Sequence, residues 1–267
     1  MQYKMLVLDM DDTLLTDDHK ISDLNKKVLL EAQAKGVYVV LASGRPTSAM
    51  TAYAKELELD LNNSYIISFN GAIISTVKDD LIFFEQKLTV EQIHHLYDYS
   101  VKMNTHIITY LDGEIISETD SEYIDIEKEI TGLPHRKVAS FKDAVDRPAV
   151  KCILLQEPSY LKELEQDLKL AMPDLSVAMS KPFFLEAAQN GIDKANSLKL
   201  LANKLGIHQS EIIAVGNAGN DLTMIEYAGL GVWVDNVTPE LRDRADIIVA
   251  SNNNDGVAEV VQRFILN

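Results

Sequence analysis

The segment MLVLDMDDTLL, residues 5–15, decides how the rest of the chain is interpreted. Its first four residues, Met5–Leu8, are apolar and typical of a buried strand, and Asp9, Asp11 and Asp12 follow within four positions. Alternate side chains of an extended backbone share a face, so Asp9 and Asp11 are expected to point into one pocket. Two close carboxylates repel unless a cation lies between them or one is protonated. The segment therefore predicts a site for a hard divalent cation such as Mg²⁺, or an acidic loop that only caps the next helix.

Strand-like and helical segments alternate at both ends of the chain. The strands of this pattern are predicted at Met5–Leu8, Val37–Ala42, Tyr65–Ser68, Ile212–Val215 and Leu230–Val234. Strand–helix–strand units at this spacing indicate a parallel sheet with right-handed crossovers, and such sheets bind ligands at the carboxyl ends of their strands. Asp9, Ser43 and Asn70 each fall just after a predicted strand. The pattern predicts an α/β, Rossmann-like core with these side chains at one edge of its sheet.

The middle of the chain has a different pattern. There, two helices each join strands of a predicted antiparallel sheet, which is typical of an α+β domain. We place this insertion at residues 88–184, which leaves 1–87 and 185–267 for the parallel-sheet domain.

The composition limits the possible partners. The 267 residues carry a net charge of −16 and are 46% hydrophobic, which argues against a nucleic-acid or anionic-membrane partner. The single cysteine, Cys152, excludes an intramolecular disulfide and favours a reducing compartment. With no signal-peptide pattern at the amino terminus, we expect a cytoplasmic protein that is a monomer or a weak homodimer.

Three further motifs also follow predicted strands or begin helices. Ser43-Gly44-Arg45 combines a hydroxyl, backbone N–H groups and a helix start, as in a phosphate cradle. Lys194 begins a helix directly after a short turn that contains Gly191. The segment Gly216–Asp221 brings amide and carboxylate oxygens to a strand end. Each motif alone also fits an ordinary polar turn or a surface lysine.

Together and in this order, the motifs resemble those of the haloacid dehalogenase superfamily of phosphatases, and more closely its Cof-type branch with an inserted α/β cap. Residues 9–15, DMDDTLL, resemble the first family motif, DxDGTLL, and Ser43-Gly44-Arg45 resembles the second. Residues 69–72, FNGA, resemble the family's Asn-Gly-Ala segment. Lys194 matches the third motif, and residues 216–221, GNAGND, resemble the fourth, GDxxND.

The resemblance implies a Mg²⁺-dependent phosphatase that acts on a small phosphorylated metabolite. It makes Asp9 the nucleophile, which forms an aspartyl-phosphate, and Asp11 the general acid and then base, with its side chain free. Lys194 would be the third catalytic residue. The implied metal ligands are Asp9, Asp11 through its backbone carbonyl, Asn217 and Asp221. The implied substrate or phosphate contacts are Thr13, Ser43, Gly44, Arg45, Asn70, Gly71, Lys194 and Asn220.

Two positions depart from the family pattern. Asp12 replaces a glycine, so a Gly-like backbone angle there is expected to cost roughly 1 kcal/mol. Asn217 replaces an aspartate that ligates the metal, and its neutral amide oxygen predicts a functional but weaker metal site. Two alternatives stay open: a phosphomutase, and a regulatory protein that binds a phosphorylated ligand with weak catalysis. Sugar phosphates and phospho-ribityl or flavin-type compounds are the substrates that the resemblance suggests.

Overall fold

A computed structural model describes residues 3–267 of the protein. Fourteen strands lie within this range. They are β1 (Met5–Leu8), β2 (Tyr38–Ala42), β3 (Tyr65–Ser68), β4 (Ile73–Thr76), β5 (Ile82–Glu85), β6 (His106–Leu111), β7 (Glu114–Ser117), β8 (His135–Lys137), β9 (Lys151–Leu155), β10 (Leu175–Lys181), β11 (Phe184–Gln189), β12 (Ile212–Gly216), β13 (Leu230–Val234) and β14 (Ile247–Val249).

Nine α-helices lie in the same described range. They are α1 (Asp23–Ala34), α2 (Thr47–Glu56), α3 (Val90–Lys102), α4 (Glu122–Thr131), α5 (Phe141–Ala144), α6 (Pro158–Ala171), α7 (Lys194–Leu205), α8 (Leu222–Tyr227) and α9 (Gly256–Val261). Among residues 3–267, none of these helices is long and apolar enough to cross a membrane.

The larger of two compact units contains the chain up to Glu85 together with Asp193–Asn267. Its eight-stranded sheet has the order β14-β13-β12-β1-β2-β3-β4-β5. The strands from β14 to β3 are parallel, and β4 and β5 are added antiparallel. Alternate residues of β1 pack on opposite faces: Leu6 joins the core that includes α1 and α9, and Val7 joins the core that includes α7 and α8. The predicted α/β fold is confirmed.

The smaller unit, Gln86–Ile192, is an α+β domain. Its six-stranded sheet has the order β10-β11-β9-β6-β7-β8, antiparallel except for the parallel pair β7 and β8. Apolar residues of α3, α5 and α6 pack on one face of this sheet in a core of their own. The unit therefore has the α+β organisation that the sequence predicts, with one parallel strand pair in the sheet that was expected to be antiparallel.

The second boundary of the insertion differs from the prediction. Residues 185–192 were assigned to the parallel-sheet domain, but β11 pairs with β9 and β10, and the smaller unit extends to Ile192. The sequence of β11, FLEAAQ, contains helix-favouring alanine and glutamate, and its strand conformation is set by its two neighbours. The short elements β8 and α5 were also missed, because three and four residues give no periodic signal.

Candidate active site

The predicted site residues of the larger unit follow four neighbouring parallel strands. Asp9 follows β1, Ser43 follows β2, Asn70 lies just beyond β3, and Asn217 follows β12. Because β12, β1, β2 and β3 are adjacent, the loops after them lie along one edge of the sheet. This is the edge at which parallel sheets bind ligands.

A buried lysine joins two of these loops. The Lys194 Nζ atom lies 2.6 Å from Asp9 Oδ1 and 2.5 Å from Asp221 Oδ1, and its side chain is fully buried. Asp193 caps the amino terminus of α7 by accepting a hydrogen bond from the Asn196 backbone, which fixes where Lys194 leaves the helix. The predicted proximity of Lys194 to Asp9 is present in the structure.

The carboxylate of Asp221 is held on both of its oxygens. Oδ1 accepts from Lys194, and Oδ2 accepts from the backbone N–H groups of Asn217 and Ala218, at 3.0 and 3.1 Å. A Cβ at Gly216 would lie 2.6 Å from the Asp221 Cβ, so only glycine leaves room for this carboxylate. Both oxygens of Asp221 are therefore used in hydrogen bonds to Lys194 and to the backbone of its own loop. The role of Asp221 as a metal ligand stays a prediction.

Burial and mutual charge govern ionisation at this cluster. Burial, with the Asp221 charge added to it, raises the pKa of Asp9 to about 7, and Lys194 acts in the opposite direction. Burial acts to lower the pKa of Lys194, but the Asp221 and Asp9 carboxylates outweigh it and raise that pKa to about 12. One ammonium group thus serves two buried carboxylates, and a second cation would further favour the ionised form of Asp9.

The side chain of Asp11 is not free, as the sequence analysis expected it to be. Both of its oxygens accept from Arg45, Nε at 2.9 Å and Nη2 at 2.6 Å. Its charge still acts on Asp9, and the pocket that the two carboxylates are expected to share stays a prediction. The side chain of Asp11 is 43% exposed, against 7% for that of Asp9. The alternation rule does not apply here, because Met10, between the two aspartates, begins a short helical segment and the backbone is not extended through it.

The loop after β2 is held against the loop after β3. The Ser43 carbonyl accepts from the Asn70 N–H at 2.9 Å, and Phe69 N–H donates to the Arg45 carbonyl at 3.0 Å. Asn70, itself left-handed at φ +55°, accepts at Oδ1 from Asn220 Nδ2 at 3.2 Å. The predicted phosphate-contact residues Ser43, Asn70 and Asn220 therefore lie together.

Gly44 and Gly71 allow close packing in these loops. A Cβ at Gly44 would lie 3.1 Å from Asn70 Oδ1. At Gly71, whose φ is +107°, a Cβ would lie 2.5 Å from the Asp193 carbonyl oxygen, and Ser197 Oγ donates to the Gly71 carbonyl at 2.5 Å. Gly71 thus brings the loop after β3 onto the start of α7, and its predicted contact with substrate is not needed to explain its presence.

The site contains oxygen donors that suit a hard cation, but three acidic side chains do not meet at one point among the described residues. Within residues 3–267, no group of three His, Cys, Asp or Glu side chains could hold a metal ion. Asp11 faces Arg45, and position 217 is an asparagine whose Oδ1 accepts from Thr13 Oγ1 at 3.1 Å. The remaining donors are the Asp9 carboxylate, the Asn217 amide oxygen and backbone carbonyls, a set that fits Mg²⁺ with several bound waters.

Two residues near the site were missed by sequence reasoning. Asn236, which lies two residues after the end of β13, donates from Nδ2 to the Asp12 carbonyl at 2.7 Å and supports the loop after β1. The Arg45 guanidinium lies 5.6 Å from the centre of the Tyr53 ring. Asn236 could have been found by extending the strand-end argument to the next strand, whereas Tyr53, inside α2, carries no such signal.

Comparisons with known proteins agree with this fold and arrangement. A family model described as haloacid dehalogenase-like hydrolase matches residues 6–261. A solved haloacid dehalogenase-like hydrolase from Bacteroides thetaiotaomicron is 34% identical, with a TM-score of 0.93, covering 98% of this chain and 99% of that one. The chain belongs to the haloacid dehalogenase-like hydrolase family.

Two curated relatives specify the class of reaction. YxeH of Bacillus subtilis (strain 168), to which phosphatase activity is provisionally ascribed, is 32% identical over 269 residues, 99% of each chain. The 5-amino-6-(5-phospho-D-ribitylamino)uracil phosphatase YcsE of the same organism is 31% identical over 270 residues, 98% of this chain and 96% of that protein. The chain is an enzyme of the phosphatase type found in this family.

Proposed function

We propose that the protein is a Mg²⁺-dependent phosphatase that hydrolyses small phosphorylated metabolites through an aspartyl-phosphate on Asp9. The observation that carries this proposal is the position of the Lys194 Nζ atom between Asp9 and Asp221 at the carboxyl end of β1. A buried ammonium group in hydrogen-bond contact with a carboxylate lowers the repulsion that the carboxylate would exert on an incoming phosphate ester.

The reaction follows in two steps. The Asp9 carboxylate attacks phosphorus, the bond from phosphorus to the leaving oxygen breaks, and Asp11 gives its proton to that oxygen, which departs as an alcohol. Water then attacks the phosphoryl group on Asp9, its proton passes to Asp11, and inorganic phosphate leaves. Ser43 and Asn220, which Asn70 links by hydrogen bonds, are the residues that we assign to the phosphoryl oxygens.

Magnesium would be held by Asp9, by the backbone carbonyl of Asp11 and by Asn217. When bound, it neutralises charge on the phosphoryl oxygens and on Asp9. The net charge of −16 makes such local positive charge necessary for an anionic substrate.

The substrate class rests on the relatives. YcsE, 31% identical, is named for a phosphorylated ribitylamino compound. We therefore propose phosphate monoesters of polyols, such as phospho-ribityl or flavin-type compounds and sugar phosphates, as substrates of this chain.

An activity assay tests the reaction. Phosphate release from p-nitrophenyl phosphate is expected to require Mg²⁺ and to fall by roughly three orders of magnitude or more in Asp9→Asn. Asp18→Asn, an exposed aspartate in the same amino-terminal region, is the matched control and should retain the activity. Ester binding without turnover by the wild-type protein would instead indicate the regulatory function, and phosphate transfer to a second sugar hydroxyl would indicate a mutase.

Metal titration tests the role assigned to Asn217. Calorimetry is expected to give tighter Mg²⁺ binding for Asn217→Asp than for the wild-type protein, because the substitution adds one formal negative charge to the ligand set. Asn220→Asp adds the same charge at a position that is not assigned to the metal. If both substitutions tighten binding equally, the effect is one of general charge and Asn217 is not a ligand.

A further inference from the structure

We propose that Arg45 is a positioning residue that acts through Asp11 and is not primarily a substrate contact. The inference rests on the proposed function, in which Asp11 transfers the proton of the leaving group. Its basis is the two-pronged ion pair in which Arg45 Nε and Nη2 each donate to a different oxygen of Asp11, at 2.9 and 2.6 Å. Arginine is the residue whose planar fork fixes a carboxylate in this way.

Arg45 itself is held independently of Asp11. Its backbone N–H donates to Ser43 Oγ at 3.1 Å, its carbonyl accepts from Phe69, and its guanidinium lies over the ring of Tyr53. Only 12% of its side chain is exposed. The guanidinium is therefore a fixed point of the site, and the carboxylate that it bonds takes its orientation from it.

Among the described residues, Arg45 makes the side-chain hydrogen bonds of Asp11. The Asp11 side chain is 43% exposed, and the His19 Nδ1 atom, on a side chain that is 68% exposed, lies 3.9 Å from Asp11 Oδ1. The backbone is fixed, because the next carbonyl, that of Asp12, accepts from Asn236. What Arg45 controls is thus the side-chain torsion of Asp11, and a carboxylate released from it would sample several rotamers.

The consequence is that Arg45 sets the direction from which Asp11 meets a leaving oxygen. Each carboxylate oxygen has a second lone pair, so Asp11 can exchange a proton there while it still accepts from Arg45. The two hydrogen bonds keep the carboxylate within a narrow range of orientations while it does so. Loss of Arg45 should therefore damage proton transfer and leave the affinity for the phosphoryl group less affected.

Two substrates of similar size separate these roles. p-Nitrophenolate leaves without a proton, whereas p-nitrobenzyl alkoxide needs one, so p-nitrobenzyl phosphate reports on Asp11 and p-nitrophenyl phosphate does so much less. In Arg45→Gln, kcat for the benzyl ester is expected to fall at least about tenfold more than kcat for the phenyl ester. Arg45→Lys keeps the positive charge but cannot donate two parallel hydrogen bonds to Asp11. Its kcat ratio between the two esters should therefore lie between those of Arg45→Gln and the wild type.

Matched variants complete the experiment. Tyr53→Leu removes the ring beneath Arg45 and should reproduce the change in ratio more weakly, and Arg263→Gln, at the surface pair with Glu259, should leave it unchanged. Equal losses for both esters, or a rise in KM with kcat retained, would overturn the proposal and make Arg45 a substrate contact. Persistent turnover in Asp9→Asn would refute the proposed function instead, whatever the ratio.

A crystal structure of Arg45→Gln gives a measurement that is independent of turnover. We expect the Asp11 side chain to leave its present orientation or to occupy more than one. An unchanged single orientation would also overturn the proposal.

Discussion

The two units of the molecule each contain a buried lysine beside two carboxyl groups. In the larger unit, Lys194 donates to Asp9 and Asp221. In the smaller unit, Lys151 donates to Glu186 at 2.8 Å and lies 5.8 Å from the centre of the Tyr110 ring. Tyr110 in turn donates to Glu127 at 2.5 Å, and burial raises the pKa of that carboxyl group.

The two lysines differ in their place on the sheet. Lys194 meets Asp9 at the carboxyl end of β1, at the edge where parallel sheets bind ligands. Lys151 lies on β9 and bonds Glu186 on the neighbouring strand β11, where sheet pairing fixes both residues. The comparison teaches that buried charge alone does not identify a catalytic site, since ion-pair networks with a structural role shift pKa values as well.

The largest effect is expected from Lys194→Met. The substitution leaves Asp9 and Asp221 buried without their cation, which should lower the free energy of unfolding by about 3–5 kcal/mol and the phosphatase kcat by at least about 100-fold. Urea unfolding and p-nitrophenyl phosphate hydrolysis measure the two losses.

The pH dependence of Lys194→Met checks the cause. The pKa of Asp9 is already raised to about 7, and without the ammonium group it should rise further above its unfolded value, so the stability gap between the variant and the wild type should narrow as the pH falls. A loss of stability that is the same at pH 5 and pH 8 would contradict the electrostatic explanation.

A smaller effect is expected from Lys151→Met, which makes the corresponding change in the smaller unit. Glu186 keeps 17% of its side chain exposed and Glu127 keeps its bond from Tyr110, so the stability loss should be about 1–3 kcal/mol. Hydrolysis of p-nitrophenyl phosphate should be retained. A loss of kcat as large as that of Lys194→Met, in a folded variant, would show that the contrast between the two lysines is wrong.

Glu127→Gln tests the charge cluster of the smaller unit through the pH dependence of stability. Because burial raises the pKa of Glu127 above its value in the unfolded chain, the folded state favours the protonated form, and stability is lost as the pH rises through the unfolded pKa towards the folded one. Gln cannot ionise, so the Glu127→Gln variant should not lose this stability. Its urea midpoint should rise relative to that of the wild type as the pH increases from 4 to 7. Parallel midpoints across this range would mean that Glu127 is not perturbed in the native state.

The smallest effect is expected from Lys4→Met. Lys4 pairs with Glu211 at 2.8 Å, but its side chain is 54% exposed, so solvent screens the interaction. The unfolding midpoint and kcat should both stay within experimental error of the wild type. This variant is the surface reference against which the two buried lysines are measured.

The sequence predicted the elements that carry a strong period or a clear cap. β1, β3 and β13 were predicted with their observed bounds, and α7 with its observed first residue, because their apolar patterns and the turns beside them leave few alternatives. The approach of Lys194 to Asp9 followed from the order of the motifs. Both successes depend on signals that are local or that recur in a fixed order.

The rest depends on contacts between distant residues. The pairing of Asp11 with Arg45 joins residues 34 positions apart, and neither residue type indicates that they meet rather than face a ligand. The hydrogen bond between Asp221 and Lys194 likewise depends on Gly216, which leaves room for the Asp221 carboxylate. Sequence periodicity does not indicate that a glycine is required at this position. Strand β11 carries helix-favouring residues and became predictable only once its partners β9 and β10 were in place.

Gly216 also bears on how this enzyme could be diversified in the laboratory. Any side chain at position 216 would occupy the space of the Asp221 carboxylate, so every substitution of Gly216 would disturb the hydrogen bond that Asp221 accepts from Lys194. A saturation library is expected to return glycine alone at position 216 while Asn217, beside it, accepts replacement. Mutational tolerance should therefore change abruptly between adjacent codons, and a library that spares codon 216 and randomises codon 217 would vary the side chain beside the cluster of Asp9, Lys194 and Asp221 without disturbing it.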